Sequence, residues 1–172
     1  MNKRIICITL ILILSFIIPT ETFAEDHLNI NAKSAILMDY NTKEVLYEKN
    51  PNEKLYPASL TKIMTLLLGM EALESGKISL TDEVRISAHA ASMGGSQLWL
   101  EEGETQTVEN LFKAITIRSA NDASVALAEH IAGSEEIFVK MMNEKAKELG
   151  MNNTNFMNSS GLHHENHYTT AY

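Results

Sequence analysis

Apolar residues gather into two short runs, Ala35-Ile36-Leu37-Met38-Asp39-Tyr40 and Glu44-Val45-Leu46-Tyr47. Asn41-Thr42-Lys43 between them has the length and chemistry of a hairpin loop, so the pattern predicts a β-hairpin. Lys49 to Pro57 reads as a polar loop. From Leu60 to Glu74, apolar residues at Leu60, Ile63, Met64, Leu66, Leu67, Leu68, Met70 and Leu73 cover nearly the whole circumference of a helix. Gly76 supplies its stop, and the all-round apolar surface predicts that this helix is central and buried.

Lys77 to Val84 and the loop through Gly94-Gly95-Ser96 to Gly103 read as mostly irregular, with Gln97-Leu98-Trp99-Leu100 too short to classify. Thr107 caps a helix running to about Ile117, with Val108, Leu111, Phe112 and Ile115 at helical spacing. A polar break, Ser119-Ala120-Asn121-Asp122, separates it from a helix that starts at Ala123, carries Val125, Leu127, Ala128 and Ile131, and stops at Gly133. Ser134 opens a third helix with Glu135 and Glu136 in its first turn, where the helix dipole favours acidic groups, and Gly150 closes it. The tail from Met151 is rich in Asn, Ser, Thr and His and reaches Tyr172 with no closing element in the pattern.

The N-terminus departs from all of this. Lys3 and Arg4 precede an almost unbroken apolar run, Ile5 to Ile18, and Thr22-Phe23-Ala24 offers small residues for cleavage. Residues 1–24 therefore read as a secretory signal peptide, and the run is shorter than the ~20 residues a membrane-spanning helix needs. An uncleaved anchor is the competing reading; either way residues 25–172 end up outside the cytoplasmic membrane. The single cysteine, Cys7, lies in that segment, so the remainder can form no disulfide and no thiolate metal site. The net charge of −8 argues against nucleic acid as a partner, because phosphate binding needs clustered Lys and Arg.

Ser59-Leu60-Thr61-Lys62 opens the apolar helix, and a three-residue spacing puts the Ser59 hydroxyl and the Lys62 amine on one face, one turn apart. An alcohol attacks a carbonyl near neutral pH only if an adjacent group takes its proton. Lysine can do so only when neutral. Burial and the positive end of a helix both penalise the ammonium form, so both push its pKa down. A fall from about 10.4 to about 7 costs about 4 to 5 kcal/mol, which buried sites achieve. The first turn also leaves the Ser59 N–H free to serve as half of an oxyanion hole. Taken alone, Ser-x-x-Lys is weak evidence, because a capping serine before a surface lysine explains most such spacings. Ser119-Ala120-Asn121, in the break between two helices, adds a hydroxyl and an amide that can face a cleft, although both are also favoured helix caps.

Ser-x-x-Lys with a Ser-x-Asn triplet belongs to the signature of penicillin-binding proteins and class A β-lactamases. Pro57-Ala58-Ser59-Leu60-Thr61-Lys62-Ile63-Met64-Thr65 closely resembles the nucleophile segment of the low-molecular-weight penicillin-binding D-alanyl-D-alanine carboxypeptidases. Ser119-Ala120-Asn121-Asp122-Ala123 resembles that family's second motif, and the hairpin, the Gly95-Ser96 loop and Asn158-Ser159-Ser160-Gly161-Leu162-His163 are similar too. The likeness runs from about Ala35 to the last residue.

The resemblance implies an α+β domain of the β-lactamase/transpeptidase type, with a helical lobe against an antiparallel sheet, and makes residues 25–172 the N-terminal part of it. It implies a serine peptidase that trims terminal D-alanine from peptidoglycan stem peptides through an acyl-enzyme on Ser59, with β-lactam antibiotics as covalent inhibitors. Lys62 would be the acylation base, Ser119 would relay protons to the leaving amine, and Asn121 would hydrogen-bond the substrate amide or hold Lys62. The family resemblance also leaves room for membrane association through a segment beyond Tyr172. No Lys-Thr-Gly, Lys-Ser-Gly or His-Thr-Gly follows Asn121, so the family's third motif and its remaining strands are absent. The expectation is that this chain, as it stands, is inactive and poorly folded, with apolar surface exposed around the hairpin and the apolar helix.

Two other functions compete. A β-lactamase would share the acylation groups, but no Glu-x-x-x-Asn loop lies between Asn121 and Tyr172. A catalytically dead peptidoglycan-binding module would explain the missing third motif but not the intact Ser59, Lys62, Ser119 and Asn121. His163-His164-Glu165-Asn166-His167 lacks the spacing of a helical His pair and reads as a solvated loop, so no metal or other cofactor is expected. Met64, Met70, Met141 and Met142 read as core packing, and so does Trp99, with a cleft border as its alternative.

Overall fold

The computed structural model describes residues 30–172; the segment read as a signal peptide, and its expected boundary at residue 24, lie outside the described residues. Ile30–Ala32 belong to one unit and Lys33–Tyr172 form a second, to which everything below refers. The hairpin forms as expected. Strands β1 (Ala35–Met38) and β2 (Val45–Lys49) pair antiparallel, with a bulge between Leu37 and Met38. Asp39 organises the turn by accepting the N–H groups of Asn41 and Thr42 and the Thr42 hydroxyl, and these bonds hold its carboxyl below the usual range.

A 3-10 turn, Ala58–Leu60, leads into helix α1 (Thr61–Glu74). A second small sheet pairs β3 (Glu83–Arg85) with β4 (Thr105–Thr107), and a single helical turn, α2 (Ala88–Ala91), lies between them. The sequence pattern left this stretch irregular, because three-residue strands with one inward residue, Val84 in β3, are too short to show a period. Helices α3 (Val108–Arg118), α4 (Asn121–Ala132) and α5 (Glu135–Glu148) follow. The Thr107 and Ser134 side chains accept the N–H groups of Asn110 and Ile137, the N-cap bonds that their positions predict.

Two corrections concern the core. The centre is α4, not α1: every residue from Asn121 to Ala128 is buried. Alanines at 123, 126 and 128 and the small Ser124 allow the neighbouring helices to approach closely. Helix α1 buries Met64, Leu68 and Ala72 but exposes Leu60, Ile63, Leu67 and Met70 along its opposite face, so its circumference is only half used. The polar residues Asn121 and Asp122 also lie inside the first turn of α4, not in a break before it; only Ser119 and Ala120 separate α3 from α4. The Asp122 carboxylate accepts the N–H groups of Leu98 and Leu100, so the unclassified segment is held as irregular backbone by a buried acid. Trp99 between them is 78% exposed, which overturns its assignment to packing.

The tail is tied down. Asn155 and Tyr168 exchange backbone bonds, as do Leu55 and Thr169, joining residues 151–172 to the segment before the 3-10 turn. No helix among the described residues is long and apolar enough to cross a membrane. The architecture is α+β, helices with small antiparallel sheets.

Candidate active site

Three chain regions meet at the Lys62 amine. The 3-10 turn and the start of α1 bring Lys62 Nζ to 3.4 Å from Ser59 Oγ, the one-turn proximity that a three-residue spacing predicts. From the first turn of α4, Asn121 Oδ1 accepts a bond from Nζ at 2.7 Å. From the tail, the Ser160 carbonyl accepts another at 2.6 Å. Lys62 is almost fully buried, while Ser59 faces solvent. Burial lowers the lysine pKa from 10.5 to about 8, because the ammonium loses hydration that two neutral acceptors only partly replace.

Asn121 is fixed on every side. Its Nδ2 donates to the Gly94 carbonyl at 2.7 Å, and its backbone N–H donates to the Ser96 carbonyl at 2.7 Å. These bonds orient the amide so that its oxygen, not its nitrogen, faces Lys62. Gly95 lies so close that a Cβ there would stand 2.8 Å from Asn121 Nδ2. Ser119 caps the C-terminus of α3 in a left-handed conformation, φ 54°, two residues before Asn121. Its Oγ is buried and has no hydrogen-bond partner among the described residues. It bonds to none of the other three candidates.

The turn that carries Ser59 is strained. Ala58, immediately before Ser59, has φ 48°, and Gly161, φ 88°, passes directly over the Ala58 carbonyl, where any Cβ would collide with it. Pattern reading missed the contribution of the tail. The Ser160 carbonyl is a backbone group and leaves no mark in side-chain type. Ser159 donates its N–H and hydroxyl to Glu135, and its carbonyl accepts the Thr65 hydroxyl at 2.6 Å. His167 is not solvated as expected; only 2% of it is exposed, and its Nε2 lies 2.8 Å from Thr61 Oγ1. His163 and His164 are exposed, and no group of three or more metal-ligating side chains occurs among the described residues. Met70 is exposed as well, against the core reading, while Met64 and Met142 are buried.

A hydroxyl beside a buried lysine, with an amide at the same amine, is an arrangement chemically able to support acyl transfer. Residues 20–172 match the model of the D-alanyl-D-alanine carboxypeptidase peptidase family. The chain belongs to that family. It is 55% identical to the D-alanyl-D-alanine carboxypeptidase DacF of Bacillus subtilis over 99% of this chain and 45% of the relative, and 43% identical to DacC of Escherichia coli over 89% and 40%. Among solved structures, the carboxypeptidase DacD of Francisella tularensis superposes with a TM-score of 0.80 at 41% identity, covering 84% of this chain and 35% of that one. Penicillin binding protein 5 of Haemophilus influenzae gives 0.78 at 41% identity, covering 83% and 42%. The fold is therefore that of the penicillin-binding carboxypeptidases. The chain spans less than half the length of these curated relatives.

Proposed function

We propose that this chain carries the acylating groups of a serine-type D-alanyl-D-alanine carboxypeptidase, with Ser59 as nucleophile and Lys62 as base. The observation that supports this most is the number of acceptors at Nζ. A neutral amine has two N–H groups and one lone pair. Asn121 Oδ1 and the Ser160 carbonyl take the two N–H groups, and the third direction is the one toward Ser59 Oγ. The lone pair is thereby aimed at the hydroxyl proton.

In this reading, Lys62 takes the Ser59 proton as Oγ bonds to the carbonyl carbon between the two D-alanines. The carbonyl electrons move to oxygen, and the Ser59 N–H, in the 3-10 turn that leads into α1, meets the developing oxyanion. Collapse breaks the C–N bond, and the departing D-alanine nitrogen receives a proton from Lys62 through the Ser119 hydroxyl, whose buried oxygen has no hydrogen-bond partner among the described residues and is free to take up this role. Water then hydrolyses the Ser59 ester. Asn121 holds Lys62. The substrates are peptidoglycan stem peptides, and β-lactams acylate the same serine. Residues 1–24 act as a signal peptide, placing residues 25–172, the N-terminal part of the catalytic domain, outside the cytoplasmic membrane. The test is covalent labelling of the full reading-frame product by a fluorescent penicillin. Ser59→Ala should abolish the label, and persistent labelling refutes the nucleophile assignment.

A further inference from the structure

One of the two groups that orient Lys62 is a backbone carbonyl, so its position depends on whatever holds the loop from Asn158 to His167. Within the loop, Asn158 Oδ1 accepts the N–H groups of Ser160 and Gly161 and shapes the local turn. Thr65 on α1 ties that turn at the Ser159 carbonyl, and the buried imidazole of His167 adds a second tie to α1, next to Lys62 itself. Its Nδ1 accepts the Met157 N–H at 3.3 Å. A backbone N–H can only donate, so the ring proton is on Nε2, and Nε2–H donates to Thr61 Oγ1 at 2.8 Å. The Phe156 ring meets the imidazole edge-on, with centroids 5.8 Å apart, and packs against it.

The two ends of this bridge are informative. Thr61 directly precedes Lys62, and Met157 lies three residues before Ser160. The imidazole therefore spans the two segments whose relative position sets the Lys62–Ser160 bond. We propose that His167 is a positioning residue for the acylating lysine, its ring joining Thr61 to Met157 so that the Ser160 carbonyl stays on Lys62. This rests on the function proposed above and deepens it. A neutral imidazole suits the task because it offers an acceptor and a donor on opposite sides of a rigid ring. Its neutrality is supported by burial and by the nearby His164, both of which lower its pKa from 6.5. The other titratable side chains around it are Tyr56 and His163, which line the same pocket, and Lys62 beside Thr61.

The experiment follows Lys62 by NMR titration and acylation by penicillin in the full reading-frame product, with His167→Ala, His167→Gln and Thr61→Val. Loosening the loop admits water to Lys62, so in His167→Ala its titration midpoint rises from about 8 toward 10.5. Each unit of rise slows acylation at pH 7 about tenfold, with the penicillin encounter constant unchanged. Glutamine reaches the Nε2 position with an N–H, so His167→Gln restores much of the rate. A folded His167→Ala with an unmoved Lys62 midpoint overturns the proposal, as does a loss confined to the encounter constant. If His167→Ala does not fold, Thr61→Val cuts the same bridge at nearly constant volume; a raised midpoint supports the proposal and an unmoved one overturns it. Because the titration is read without turnover, a raised midpoint in a protein that penicillin never labels would sink the catalytic reading while leaving the positioning role standing.

Discussion

Asn121→Asp changes one nitrogen to oxygen and puts a carboxylate where a neutral oxygen now lies 2.7 Å from Lys62 Nζ. With a pKa of about 8, roughly one-tenth of Lys62 is neutral at pH 7 in the parent protein. A carboxylate this close to a buried cation typically shifts a pKa by about 1 to 3 units, here upward. The neutral fraction at pH 7 then falls to about one-hundredth or less, and acylation slows at least about tenfold. Raising the pH must recover it. The parent rate should climb through pH 8 and level off, because the neutral amine is the active form, while the Asn121→Asp rate should keep climbing beyond pH 9. The change also removes the Nδ2 bond to Gly94, so Asn121→Ala serves as the control: it loses the same bond but gains no charge. The assay is the rate of labelling by a fluorescent penicillin between pH 6.5 and 9.5 in the full reading-frame product. If Asn121→Asp is slowed by the same factor at every pH, or if the parent rate falls above pH 8, Lys62 does not act as a neutral base.

Asp122→Ala should destabilise by about 2 to 4 kcal/mol, since it orphans the buried N–H groups of Leu98 and Leu100; an unfolding free energy from urea titration lowered by less than about 1 kcal/mol argues against this role. Gly161→Ala should cost about 3 kcal/mol or more and slow labelling of Ser59, because the new methyl collides with the Ala58 carbonyl at a positive φ; normal stability with normal labelling would show that the crossing is loose. Nitrocefin should acylate the full reading-frame product in a single burst without continued turnover. Sustained hydrolysis would favour a β-lactamase instead.

The helices α3 and α5 were legible because each combines a capping hydroxyl with apolar residues at helical spacing, and both caps form the bonds expected of them. Ser59 and Lys62 were also legible as neighbours, since helical geometry alone sets their separation. What escaped was tertiary. Asn121 and Asp122 looked like a break because polar residues favour caps, yet α4 buries both by giving their side chains partners from distant loops. The Ser160 carbonyl and the His167 bridge depend on a tail whose composition suggests only loop. Helix α1 looked buried on all sides because its composition is apolar all round. The face of Leu60, Ile63, Leu67 and Met70 nevertheless remains open, because composition alone does not say which side of a helix finds neighbours.

The Lys62 amine is gathered from parts of the chain 59 and 98 residues apart, and its acidity comes from that gathering. In an unstructured chain its pKa is the ordinary 10.5, and only about one molecule in 3,000 would carry the free base at pH 7, against about one in ten once the three segments close. Assembly thus raises the free-base population about 300-fold with no chemical modification. Under the proposed mechanism a newly made polypeptide is in this sense unarmed: its serine stays an ordinary alcohol until the fold itself switches on the neighbouring amine.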